Sequence, residues 1–211
     1  MLQLCSKSGN IFSFHINFIP REGSYPRCME QKITDQYLLA LLKNERSRKE
    51  GMAVLIHSYQ ERLYWHIRKI VINHDDARDV LQETLIRVWR NVHQFKGDSA
   101  IFTWLFRIAS NESVRFLGKK QRNLVNKMNM EEMLTIELET TPFISGDEIQ
   151  IALQKAIIGL TEKQRMVFNL RYFDEMEYTD IAEILETTVN NVKVLFHNAK
   201  TQIQEKIKKE I

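Results

Sequence analysis

At 211 residues with 44% hydrophobic content, the chain is long enough for one or two buried cores and is not a disordered polymer. Seven glycines and three prolines are too few for the turns of a β-sandwich or barrel, so a mostly helical protein is expected. Charged residues make up 27% of the chain, and no apolar run approaches the roughly 18 residues of a bilayer span, so membrane insertion is not expected.

The opening stretch from Ile11 to Ile19 is apolar but interrupted by Ser13, His15 and Asn17, and no small-residue cleavage site follows it. Residues 1–29 read as a disordered N-terminal extension, with Met29 a second candidate start of translation. Cys5 and Cys28 are too few for a zinc framework, and a reducing, cytoplasmic setting is expected.

Charge divides the remainder. Residues 30–122 carry a net +6, residues 123–150 a net −5, and residues 151–211 balance. Pro20, Pro26 and Pro142 all lie outside the periodic stretches. The expected fold is all-α: a basic helical domain over 30–122, a flexible acidic linker over 123–150, and a smaller helical domain over 151–211.

In the first domain, Leu38, Leu41 and Leu42 precede a long helical stripe of Met52, Leu55, Ile56, Tyr59, Leu63, Ile67, Ile70 and Val71. A third helix, capped by Asp75 or Asp76, would bury Ala77, Val80, Leu81, Thr84, Leu85, Val88, Trp89 and Val92. A glycine-containing loop, 95–99, leads to a fourth helix from about Ala100 to Leu117, which ends in the basic cluster 119–122. Trp104 and Phe106 suit either core or stacking roles, and their helical spacing favours core.

The second domain opens with Ile149 to Ile158, and Thr161 with Gln164 forms a capping box. Two helices then carry Ala182 and Val192 on either side of Glu186, Thr187 and Thr188, the spacing of a helix-turn-helix. Asn190, Asn191, Lys193, His197 and Lys200 lie on or beside the face opposite Val192, Phe196 and Ala199. Amides there can pair with base edges and lysines with phosphates. A plain helical hairpin with a solvated face fits the same segment. Glu186 stands where many such turns carry Gly, and a left-handed conformation there would cost about 1 kcal/mol.

Residues 76–89, DARDVLQETLIRVW, closely resemble the signature helix of bacterial RNA polymerase sigma factors. FKGDS at 95–99 and TWLFRIA at 103–109 with Asn111 fit the extracytoplasmic-function (ECF) group, and the segments 160–165 and 178–193 resemble its C-terminal DNA-binding domain. The resemblance spans roughly residues 33–207. It implies a dissociable sigma subunit whose partners are core RNA polymerase, promoter DNA and an anti-sigma factor. Polymerase would dock on Asp79, Gln82, Glu83, Ile86, Arg87 and Arg90. Phe95, Lys96, Gly97, Asp98 and Ser99 would form the melting loop, while Arg107, Asn111, Arg115, Lys119 and Lys120 would follow the minus-ten DNA. Thr188, Asn190, Asn191, Lys193, Val194, His197 and Lys200 would read the minus-thirty-five element. Leu195 and Asn198 stand where the family often has Arg.

Spacing alone also fits a solvated signature helix with pairs such as Glu83 and Arg87. Asp75, Asp76, Asp79 and Glu83 are explained by helix-start electrostatics better than by a metal site, so no catalysis, metal or cofactor is expected. The alternative function is a helix-turn-helix transcription regulator that is not a polymerase subunit. It accounts for residues 160–207 but not for the signature helix and its basic sequel.

Overall fold

The computed structural model describes residues 35–123, 129–140 and 148–210. The N-terminal extension lies outside them. Two helices open the described chain as a hairpin, α1 (Asp35–Lys43) and α2 (Arg48–Val71). Carbonyls at a helix end lack partners within the helix, and the turn supplies them here. The Ser47 hydroxyl donates to the Leu41 carbonyl at 3.0 Å, and Arg48 Nε donates to that of Leu42 at 3.2 Å. Gly51 lies where the two helices touch, because a Cβ there would stand 2.9 Å from Leu41 Cβ and 3.0 Å from the Leu42 nitrogen.

α2 ends at Ile72, a buried β-branched residue at φ 66°. That conformation costs about 1–2 kcal/mol; it is held by side-chain burial and by the Ile72 N–H, which donates to the Arg68 carbonyl at 3.0 Å. The reversal leaves Asn73 extended, the conformation of a helix cap. Asn73, rather than Asp75 or Asp76, therefore caps α3 (His74–Asn91), its Oδ1 accepting from the Asp75 N–H at 2.9 Å and the Asp76 N–H at 3.2 Å. The two aspartates fall inside the first turn, where their charge meets the positive end of the helix.

A 3₁₀ turn at Val92–Gln94 and the loop after it lead to α4 (Ile101–Asn123), which runs a turn and a half beyond the expected end. Its first turn is capped across the fold, with Asp35 Oδ2 accepting from the Ile101 N–H at 3.1 Å. Part of the expected linker is α5 (Met130–Thr140). Acidic composition favours solvation, but Met133, Leu134 and Leu138 give this segment an apolar side, and all three are buried.

The last four helices are α6 (Glu148–Ile158), α7 (Glu162–Phe168), α8 (Tyr178–Ile184) and α9 (Val189–Glu210). The expected capping box opens α7, with Thr161 and Gln164 bonding reciprocally. α7 continues into a π turn at Asn169–Phe173. Val192, Ala199, Ile203 and Ile207 form the buried stripe with which α9 packs on α6 and α7.

The two helical sets meet directly: α8 packs against α4, and the π turn against α2. One hydrophobic cluster runs from Leu63, Ile67 and Phe106 to Leu170, Met176 and Ile181. At its edge lies Asp174, with 6% of its side chain exposed, facing His66 and Lys69 of α2. His66 is fully buried, 3.0 Å from Asp174 Oδ2 through Nδ1 and 2.9 Å from the Ser110 hydroxyl through Nε2. A carboxylate only accepts, so Nδ1 carries the proton. Lys69 Nζ donates to the other oxygen at 2.5 Å. Burial pushes the Asp174 carboxyl up, but the His66 hydrogen bond and the Lys69 charge outweigh it and hold it below its ordinary value.

Two outcomes are expected. Gly51→Val forces α1 and α2 apart and costs about 2 kcal/mol, read as a lowered urea midpoint with an unchanged far-ultraviolet spectrum. Asp174 is depressed in the folded chain, so its contribution is complete above the unfolded value of 3.8 and is lost as pH falls through the lower folded value. The stability gap between the natural chain and Asp174→Asn is therefore wide near neutrality and closes in strong acid.

Candidate nucleic-acid interface and docking groove

The α3 stripe is wider than its neighbours can cover. Ala77, Val80, Thr84, Val88 and Val92 are buried as expected, but Leu81 and Leu85 are only half-buried and Trp89 is 38% exposed. With Met52 of α2 and Ile86, these three form the apolar lining of an open groove of about 710 Å³, flanked by Asp75, Arg78, Asp79 and Gln82. Arg48 lies over the Trp89 ring at 5.9 Å, a distance at which a cation is attracted to the ring face.

Of the residues expected to meet polymerase, Asp79, Gln82 and Ile86 line this groove, whereas Glu83 and Arg90 are exposed outside it. Arg87 turns inward. Its Nε is 2.6 Å from the buried Glu112 of α4, so it joins two helices instead of pairing with Glu83. Met52, Leu81, Leu85 and Trp89 were not among the expected contacts. Their signal was a tryptophan some three turns along a stripe already wide enough for one packing partner.

In the loop after α3, Lys96, Gly97 and Asp98 are exposed and Ser99 is half-buried, with Gly97 at φ 87°. Phe95 departs from its expected place: it is buried, its ring 5.0 Å from that of Trp104. An aromatic at the loop's root gains more from the core than from water, and Phe95 anchors the loop that its neighbours line. Trp104 and Phe106 are core, as their spacing favoured.

Four of the five α4 candidates, Arg107, Asn111, Arg115 and Lys119, succeed one another at i+4 and share one face. Arg107 is half-buried and the other three are exposed. Arg115 also pairs with Glu112. Lys120 leaves this line and bridges Asp76, at 2.6 Å, and Glu137 of α5. Burial opposes its charge, but the hydrogen bonds it donates to both carboxylates raise its pKa above the ordinary value. Glu137, which also accepts from the Asn73 amide at 2.9 Å, is correspondingly lowered despite its burial.

The helix-turn-helix forms as its spacing requires, with Ala182 and Val192 buried between α8 and α9. Asn190, Asn191, Lys193, Val194 and His197 are exposed on α9, and Lys200 is half-buried. Thr188 is committed locally: its hydroxyl accepts from the Asn191 N–H at 3.2 Å and caps the helix, while the Asn191 amide donates to Thr187 at 2.8 Å. Lys193 Nζ sits 5.8 Å over the Tyr178 ring. Glu186 does adopt the left-handed conformation, at φ 51°.

Two cationic helices, only one of them part of a helix-turn-helix, suit a protein that touches DNA at two places. Residues 55–123 match the family model of Sigma-70 region 2, and residues 150–203 that of Sigma-70, region 4. An ECF RNA polymerase sigma-E factor of Haemophilus influenzae is 27% identical over 189 residues, covering 85% of this chain and 98% of the relative. Its namesake from Escherichia coli K12 is 27% identical over 188 residues, covering 85% and 97%. Among solved structures, the fold is similar to that of CnrH in complex with the cytosolic domain of CnrY, with a TM-score of 0.61 and 19% identity, covering 84% of this chain and 99% of that one. It is also similar to RpoE in complex with the anti-sigma factor NepR from Bartonella quintana, with a TM-score of 0.58 and 22% identity over 74% and 96% of the two chains. The chain belongs to the sigma-70 family, in its extracytoplasmic-function group, and is a sigma subunit that directs promoter-specific transcription. A helix-turn-helix regulator outside the polymerase would leave the match over 55–123 unexplained.

Because Glu186 pays a left-handed penalty that Gly does not, Glu186→Gly is expected to stabilise the chain by about 0.5–1 kcal/mol. A raised Tm with an unchanged far-ultraviolet spectrum is the expected reading.

Proposed function

We propose that the α3 groove is the surface that docks on core RNA polymerase, with Trp89, Leu85 and Ile86 as apolar anchors and Asp79, Gln82 and Glu83 as the polar rim. The observation that carries this reading is the exposed apolar strip ringed by charge, the make-up of an interface whose centre is desolvated on binding. Loop 95–99 then opens the duplex, the exposed Gly97 and Asp98 leaving room for an unpaired base above the Phe95 anchor. Arg107, Asn111, Arg115 and Lys119 track the backbone of the minus-ten strand, each cation neutralising phosphate charge. Asn190, Asn191, Lys193, Val194 and His197 enter the major groove of the minus-thirty-five element, where Asn pairs with adenine and Val194 can meet a thymine methyl group.

These steps are binding and strand separation, with no covalent chemistry and no cofactor. The neutral C-terminal domain binds DNA weakly alone and relies on polymerase holding both domains at once, since tethering raises effective concentration without new contacts. The site of action is the cytoplasm; no helix among the described residues is long and apolar enough to cross a membrane. An anti-sigma factor is the expected inhibitor, in line with the complexes in which the similar structures were solved.

Run-off transcription with core polymerase and a promoter library tests the assignment. Trp89→Ala is expected to cost about 2 kcal/mol of core binding, near thirty-fold in affinity, and Asp79→Arg/Glu83→Arg to abolish initiation while the fold persists. Asn190→Ala is expected to weaken only promoters that depend on the minus-thirty-five element, by about 1–3 kcal/mol. Unimpaired core binding by both docking variants would overturn the groove assignment.

A further inference from the structure

A buried carboxylate is a costly way to join two helices, since well-packed apolar side chains of similar volume often hold them as firmly or more so. Glu112 nevertheless sits between α3 and α4, 4% exposed and one position from the row of α4 cations. Each of its oxygens takes a different guanidinium. Oε1 accepts from Arg87 Nε of α3 at 2.6 Å, and Oε2 accepts from Arg115, one turn further along α4. The two arginine side chains are 41% and 57% exposed, so both reach solvent while they meet on a buried acid.

The charges of this cluster do not balance. Two guanidinium groups around one carboxylate leave a surplus positive charge. Arg87 engages through Nε and Arg115 through one terminal nitrogen, and neither has a further partner among the described residues. Each guanidinium has five N–H donors in a planar fork, so both keep donors to spare. Two such forks fixed side by side match a phosphate, which arginine grips bidentately. Position decides whose phosphate it is. Arg115 belongs to the row of Arg107, Asn111 and Lys119, and Arg87 lies outside the groove that Asp79, Gln82 and Ile86 line. The cluster thus extends the α4 row and not the groove.

We propose that Arg87 and Arg115, held on the two oxygens of Glu112, clamp one phosphodiester of the promoter strand that follows α4, so that Arg87 serves DNA instead of polymerase. This inference rests on the promoter-binding reading above. Glu112 is the positioning residue, and the clamp gives it an effect opposite in sign to that of its charge. An acid near DNA repels phosphate, so neutralising it should tighten binding on charge alone. In the clamp the same change releases both arginines into the many rotamers of a long exposed side chain, and binding weakens. The phosphate is gripped at once from the helix that docks on polymerase and from the helix that follows DNA.

The test is binding of promoter DNA by core polymerase loaded with the full chain, on a promoter recovered from the run-off library, with core affinity measured beside it. Arg87→Gln should leave core affinity unchanged and weaken promoter binding several-fold. It should also lower the slope of log affinity against log salt by about 0.7–0.9, the loss of one phosphate contact. Glu112→Gln should weaken the same binding, and have no effect once Arg87→Gln/Arg115→Gln is present, where a purely structural acid would still act. A neutral methylphosphonate at one linkage of the strand should abolish the effect of each of these variants on promoter binding. Should Glu112→Gln fail to fold, Arg87→Gln on the methylphosphonate series still decides the matter. Promoter binding by Arg87→Gln equal to that of the natural chain, tighter binding by a folded Glu112→Gln, or effects that persist at every neutral linkage would each overturn the clamp. So would a loss of core affinity in Arg87→Gln, which would give the pair a polymerase carboxylate instead. If core with the natural chain binds no promoter in the library, the promoter-binding reading itself fails before any variant is compared.

Discussion

A carboxylate taken out of water must be met by cations or hydrogen-bond donors, and two such groups decide where the helices of this molecule meet. Glu112, 4% exposed, stands midway along α4 and takes Arg87 of α3 and Arg115 of its own helix. Asp174 stands in the chain between the π turn and α8 and takes His66 and Lys69 of α2. The first joins α3 to α4. The second fixes one helical set on the other. Leaving either carboxylate buried without its partners would cost several kcal/mol.

The difference between the two pairs lies in what would be lost on breaking them. Glu112 is buried among helices that also share Val80, Val88, Leu105 and Ala109 with the core, while its partners Arg87 and Arg115 reach solvent, so this pair lies wholly within the first helical set. Asp174 has its partners on another set of helices, and separating those sets returns the carboxylate, the lysine and the imidazole to water together. Rehydration then repays much of the lost ion pairing. Separation would also expose the hydrophobic cluster that runs from Ile67 and Phe106 to Met176 and Ile181, so the boundary is held by apolar burial as well as by charge.

Most of the fold was legible because it follows from period and capping. The stripes on α2, α3 and α9, the Thr161 box and the spacing of Ala182 and Val192 each specify local structure with local residues. The failures share a different cause. Asn73 displaced Asp75 and Asp76 as cap because Ile72 adopts a strained turn that no propensity predicts. Phe95, Arg87 and Lys120 were given outward roles by the family resemblance, and each has a partner on a neighbouring element: Trp104, Glu112, and Glu137 with Asp76. Asp174 drew no attention, since an isolated acid in a loop has no signature until its partners are known.

The groove on α3 shows the converse. Trp89 was placed in the core by a rule that counts apolar positions without asking how many partners exist to cover them. α2 and α4 flank α3 and bury one side of it, and no further helix among the described residues lies over Leu81, Leu85 and Trp89. A stripe of seven positions on an eighteen-residue helix, continued by Val92, is more than a two-sided neighbour can cover. The surplus is itself information, because an exposed tryptophan beside half-buried leucines gains most when a partner's surface arrives. The same residues that made the helix look like ordinary core are thus the ones on which the proposed docking rests.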